Sequence, residues 1–163
     1  MKFSCSIFFV VLLNCHRESV TLPIKGRKEF KLPKPLTSDT AITINGTMIT
    51  KNNLLTVTLA EKGGSHICEL RYNTSAKLIS MRQSKDPTVN TETYEVSESI
   101  RPVKFVLHIE PRFYSEYSIN FELNINDSGP LPIQCLSGNF ETVNKIIVKG
   151  AESISSLLFQ YKD

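Results

Sequence analysis

Short runs of alternating apolar and polar residues, each closed by a turn signal, make up most of this chain. The densest group is Leu54–Ser84. Leu55, Val57 and Leu59 alternate with Leu54, Thr56, Thr58 and Ala60, which predicts a strand over Leu54–Ala60 with one face in a core. Glu61-Lys62-Gly63-Gly64 predicts a turn. A second strand, His66–Tyr72, sets Cys68 and Leu70 against Glu69 and Arg71, with Ile67 out of phase. After Asn73-Thr74-Ser75 a third strand runs over Lys77–Gln83. Charge and amide fall on the outer side of this unit beside the turn at Asn73, where a sheet surface can recognise a polar ligand.

The same period continues on both sides. Ala41–Ile49 reads as a strand broken at Asn45-Gly46. Val103–Ile109 and Tyr117–Asn126 alternate cleanly, and Asp127-Ser128-Gly129-Pro130 turns the chain into Leu131–Leu136. Lys145–Lys149 ends at Gly150, and Ser156–Tyr161 is the last strand. Ser84–Ser99 reads as a polar gap. Asn139–Asn144 reads as one short turn of helix, and no segment keeps helical spacing over a full helix length. Short strands with turn signals about every 8–12 residues predict an all-β, two-sheet antiparallel sandwich.

The first residues change the picture of where the protein works. Met1-Lys2, the apolar block Phe3–Leu13 and the polar Asn14–Ser19 match a secretory signal peptide over 1–19. The apolar block is shorter than the ~20 residues of a membrane span. Val20–Leu36, with Pro23, Pro33 and Pro35 among basic residues, reads as an extended arm, so the division is 1–19 leader, 20–29 lead-in and 30–163 domain. Sequons at Asn45, Asn73 and Asn126 fit a secreted, extracellular glycoprotein. Secretion leaves Cys68 and Cys135, which can pair in an oxidising compartment; two buried thiols fit the sequence equally well.

Composition excludes more than it assigns. The net charge of +3 is small, and Lys25-Gly26-Arg27-Lys28 is the main basic cluster, so no nucleic-acid partner is expected. Three histidines, with no H-x-x-x-H or C-x-x-C spacing, predict no metal site. No nucleophile elbow or phosphate-cradling glycine loop is present, so no enzyme and no cofactor is expected.

The order of segments from about Phe30 to Tyr161 resembles a galectin carbohydrate-recognition domain. Ile42–Gly46, Leu54–Leu59, Cys68–Ser75, Val103–Ile109, Phe121–Asp127 and Val143–Gly150 carry the resemblance. It implies a jelly-roll sandwich of the concanavalin type, binding β-galactosides non-catalytically on one sheet's concave face. Galectins use a histidine, an asparagine and an arginine on one strand and its turn, an asparagine on the next strand, then a tryptophan, a glutamate and an arginine. This chain has Arg71 in place of the histidine, keeps Asn73, and has Ser75 for the arginine. Gln83, beside Arg82, stands for the second asparagine. Glu92 keeps the glutamate, with Val89 near the tryptophan and Tyr94 near the last arginine; the chain has no Trp.

The resemblance therefore implies a carbohydrate site of Arg71, Asn73, Gln83 and Glu92. Arg71 and Gln83 would donate to hydroxyls, and Glu92 would accept and orient the arginine. Glycans or glycoproteins are the expected partners, and the alternative is a galectin-fold module that has lost sugar binding and recognises a protein. Thr74-Ser75 also creates the Asn73 sequon, so a glycan there is expected to cap the site.

Overall fold

The computed structural model describes residues 15–18, 22–23, 26–48, 54–83, 89–93, 103–113, 117–136 and 139–161. Among them the chain forms thirteen strands and no helix. The first half contains β1 (Cys15–Glu18), β2 (Leu22–Pro23), β3 (Arg27–Lys31), β4 (Thr40–Met48), β5 (Leu54–Glu61), β6 (His66–Asn73) and β7 (Leu78–Gln83). The second contains β8 (Val89–Thr93), β9 (Lys104–Phe113), β10 (Tyr117–Ile125), β11 (Pro130–Leu136), β12 (Val143–Lys149) and β13 (Ala151–Tyr161).

The strands build two antiparallel sheets packed as a jelly-roll sandwich. One has six strands in the order β3-β12-β5-β6-β7-β8. The other has seven: β1-β13-β4-β9-β10-β11, with β2 also on β13. Period-two alternation puts Leu55, Val57, Leu59, Leu70, Ile79 and Met81 of the first sheet against Ile42, Ile44, Phe105, Leu107, Phe121 and Leu123 of the second. All twelve are essentially without solvent contact, and truncating one such side chain to alanine typically costs ~2–5 kcal/mol.

Cys68 on β6 and Cys135 on β11 are bonded as a disulfide, with Cα atoms 6.1 Å apart, so a covalent link joins the two sheets. Next to it, Gln83 on β7 accepts a hydrogen bond from the Leu136 N–H of β11 at 3.0 Å.

Local departures from the sequence expectation have physical causes. Asn45-Gly46 does not break β4, because Gly46 lies where the neighbouring chain comes close. A Cβ there would collide with the Ser153 carbonyl and reach Phe105 ring carbons at 2.9 Å. The irregularities fall instead on β13, between Ala151 and Ser153 and between Ile154 and Ser156. Asn139–Thr142 is a turn rather than helix, closed by the Val143 N–H on the Phe140 carbonyl at 3.1 Å. The polar gap after Ser84 contains β8, which pairs with β7.

The lead-in also belongs to the sandwich. Leu22 and Pro23 pair with Ile154 and Ser153, and Arg27–Lys31 pairs with β12. Of the expected leader, residues 1–14 and 19 lie outside the described residues, while Cys15–Glu18 pairs with β13.

Candidate functional site

In an antiparallel ladder, residues directly opposite share a face. One row across the outer face of the six-stranded sheet is Arg27, Lys149, Thr56, Arg71 and Ser80. The adjacent row is Glu29, Ile147, Thr58, Glu69 and Arg82. Asn73 closes the Arg71 side at the end of β6, opposite Leu54 and Leu78.

Glu69 is the centre of this surface. It is only 6% exposed although it lies on the outer face. The Arg71 Nε donates to its Oε1 at 2.7 Å, and the Thr58 hydroxyl donates to its Oε2 at 3.2 Å. His66 Nδ1 is 3.8 Å from the same Oε2. A buried carboxylate needs such partners, and charge-assisted bonds to a guanidinium are the stronger kind. Glu69 in turn fixes the plane of Arg71, which is about half exposed and retains further N–H donors.

Asn73 divides its amide between two tasks. Its Oδ1 accepts from the Ser75 and Ala76 N–H groups, both at 3.0 Å, and shapes the β6–β7 turn. Its Nδ2 has no partner among the described residues. Lys77 completes the turn in the left-handed region, at φ 52°.

Arg71 and Asn73 therefore come together as expected, but Gln83 does not join them. Along β7 it is in phase with Ile79 and Met81, so its side chain is buried between the sheets and holds Leu136. Arg82, in phase with Ser80, takes the outer position opposite Glu69. Glu92 registers with Ile79, whereas Thr91 and Thr93 register with the outer-face residues Ser80 and Leu78. The β8 side chains, and Tyr94, lie outside the described residues.

Glu69, Arg82 and Thr58 were missing from the expected site. The two-residue period already placed Glu69 beside Arg71, and the same rule applied to β7 selects Arg82 over Gln83. The burial of Glu69 and the role of Thr58 needed the neighbouring strand.

The expected glycosylation positions differ in their surroundings. Asn45 Nδ2 donates to Ser156 Oγ at 2.6 Å in the middle of the seven-stranded sheet. Asn126 Oδ1 accepts from Lys104 N–H at 2.9 Å in the β10–β11 turn, where Asn126 and Asp127 both have positive φ. Asn73 sits in a turn with its neighbours Ser75 and Ala76 exposed. Among the described residues no acidic, histidine or cysteine side chains group as a metal site, and no helix is long and apolar enough to cross a membrane.

The sandwich is similar to those of solved galectins. A sheep galectin-11 in complex with glycerol matches with a TM-score of 0.59 and 15% identity, over 83% of this chain and 98% of that one. A toad ovary galectin in complex with thio-digalactose matches at 0.62 and 10% identity, over 84% and 100%. Xenopus laevis galectin-Ib matches at 0.59 and 9% identity, over 83% and 100%. At these identities the likeness establishes a galectin-type fold. No protein-family model matches the sequence, and no curated protein does.

Proposed function

We propose that this protein is a secreted, non-catalytic carbohydrate-binding module that takes glycans on the outer face of its six-stranded sheet. The observation that carries it is the guanidinium of Arg71, held by the buried Glu69 and flanked by the hydroxyl-bearing Thr56 and Ser80. A donor fixed before binding loses less freedom when a sugar hydroxyl arrives. Asn73 Nδ2 adds a second donor and Arg82 a third, in place of Gln83, and Glu69 assumes the orienting role expected of Glu92. The toad ovary galectin of the same fold was solved with thio-digalactose, which supports a sugar as ligand.

The spacing of the described carboxylates supports binding without hydrolysis. Glycoside hydrolysis uses two carboxyl groups roughly 5–10 Å apart. The described acids of this face are Glu69 and Glu29, whose strands are separated by β12 and β5, hence by about 14 Å at ~4.8 Å per step. The Cys68–Cys135 disulfide supports an oxidising compartment. N-terminal sequencing of protein secreted by eukaryotic cells tests the leader: a cut after Ser19 would remove β1 and leave β2 on β13.

The test of binding is a glycan array probed with secreted protein and with its unglycosylated counterpart. Selective glycan binding that is lost in Arg71→Ala and Glu69→Ala, with the β-sheet circular dichroism intact, supports the proposal. Binding by the unglycosylated form alone identifies a glycan on Asn73 as a cap. A blank array with both forms favours the module that recognises a protein partner instead.

A further inference from the structure

We propose that this face prefers acidic glycans, those bearing a sulfate or carboxylate, over neutral galactosides. The preference rests on the carbohydrate function proposed above and specifies its ligand class. It comes from an imbalance of charge. The described outer-face positions of the six-stranded sheet carry six cations: Arg27, Lys31, Lys145, Lys149, Arg71 and Arg82. They carry two acids, Glu29 and Glu69, and both acids are already engaged.

Glu29 pairs with Arg27 and, at 3.5 Å, with Lys145. Glu69 is taken by Arg71 and Thr58. Arg82 registers directly opposite Glu69, yet it forms no ion pair or hydrogen bond with any described residue; the same holds for Lys149. Both are exposed.

Geometry turns these spare charges into one site. Arg71 and Arg82 are diagonal neighbours on adjacent strands, ~7–8 Å apart at the backbone. Lys149 is two strands from Arg71, roughly 10 Å away, with Thr56 between them. Three cations thus surround a strip of hydroxyls, with Glu69 as the single described acid among them. An anionic substituent between Arg71 and Arg82 would relieve their mutual repulsion and accept charge-assisted hydrogen bonds. Arginine forks suit the planar or tetrahedral oxygens of carboxylate and sulfate.

The composition favours the same answer. A neutral galactoside draws much of its affinity from an aromatic ring packed on its apolar face, and this chain contains no Trp. Nucleic acid fits less well, because Glu29 and Glu69 interrupt the cations and none of the described residues on this face is aromatic.

The experiment is calorimetric titration of the full secreted chain with lactose, 3′-sulfated lactose and inorganic sulfate. Sulfated lactose is expected to bind at least about tenfold more tightly than lactose, with the advantage shrinking as NaCl is raised. Arg82→Gln combined with Lys149→Gln should erase the advantage while the circular dichroism stays unchanged. Equal affinity for the two sugars would overturn the acidic preference and leave carbohydrate binding standing. Inorganic sulfate binding as tightly as the sulfated sugar would also overturn it, reducing the site to an anion site. A folded protein that binds none of the three, on top of a blank glycan array, would remove the carbohydrate function itself.

Discussion

On the outer face of the seven-stranded sheet, polar side chains bond to one another across strands. Thr43 Oγ1 meets His108 Nδ1 at 3.2 Å, Asn45 donates to Ser156, and Thr47 Oγ1 meets Ser153 Oγ at 2.8 Å, while along β9 Arg112 pairs with Glu110 at 2.7 Å. The outer face of the six-stranded sheet has longer side chains, and the remaining N–H groups of Arg71, with Arg82 and Lys149, have no partner among the described residues. Two faces of one sandwich, both polar, thus have different uses. Short groups that bond to each other have little left for a ligand, whereas a charge fixed by a buried partner is presented to one.

The largest expected effect lies in the link between the two sheets. Replacing Cys68 and Cys135 by alanine should cost about 4 kcal/mol, the chain-entropy value for a loop of 67 residues. Denaturant unfolding of the variant against the oxidised protein measures it. Glu69→Ala comes next, at about 1–3 kcal/mol, since Thr58 and Arg71 lose their acceptor. It should also lower glycan affinity at least tenfold, because Arg71 is no longer held, and titration of a folded variant reads this directly.

Asn45→Ala, on the opposite face, removes the bond to Ser156 and should cost about 1 kcal/mol with glycan affinity unchanged. If that variant lost binding as Glu69→Ala does, the division of labour between the faces would be broken. The smallest effect is expected at Glu29. Burial acts to raise its pKa, but Arg27 and Lys145 prevail and hold it below the ordinary carboxylate value. A lowered pKa stabilises the fold above the ordinary value and stops doing so as the pH falls through the folded one. A small Tm difference between the protein and Glu29→Gln should therefore exist at pH 7 and disappear at acid pH.

Much of the fold was legible along the chain. The alternation in Leu54–Gln83, Val103–Ile109 and Tyr117–Asn126 identified strands because a half-buried strand must repeat every two residues. The failures occurred where a residue's role depended on a neighbour distant in sequence. Asn45-Gly46 looked like a break in the strand, but Gly46 is needed for the approach of β13 and Phe105. Gln83 was expected at the surface from the family resemblance, although its phase with Ile79 and Met81 pointed inward. An amide can go there because the Leu136 N–H of β11 is waiting for an acceptor.

The strand class, the phase of β5, β6, β9 and β10, and the side on which Arg71 and Glu69 lie were thus legible in the sequence alone. These follow from local sterics and the two-residue period. The strand order, the strands laid beside β6 and the choice between a Cys68–Cys135 disulfide and two buried thiols came only with the fold. The fold thereby decided that Glu69 would be buried against Thr58, and that Arg82 would have no partner among the described residues. The physical reason is that the Arg71–Glu69 pair is local to β6 and follows from the two-residue period, whereas the burial of Glu69 and its bond to Thr58 depend on a strand that only the fold brings alongside.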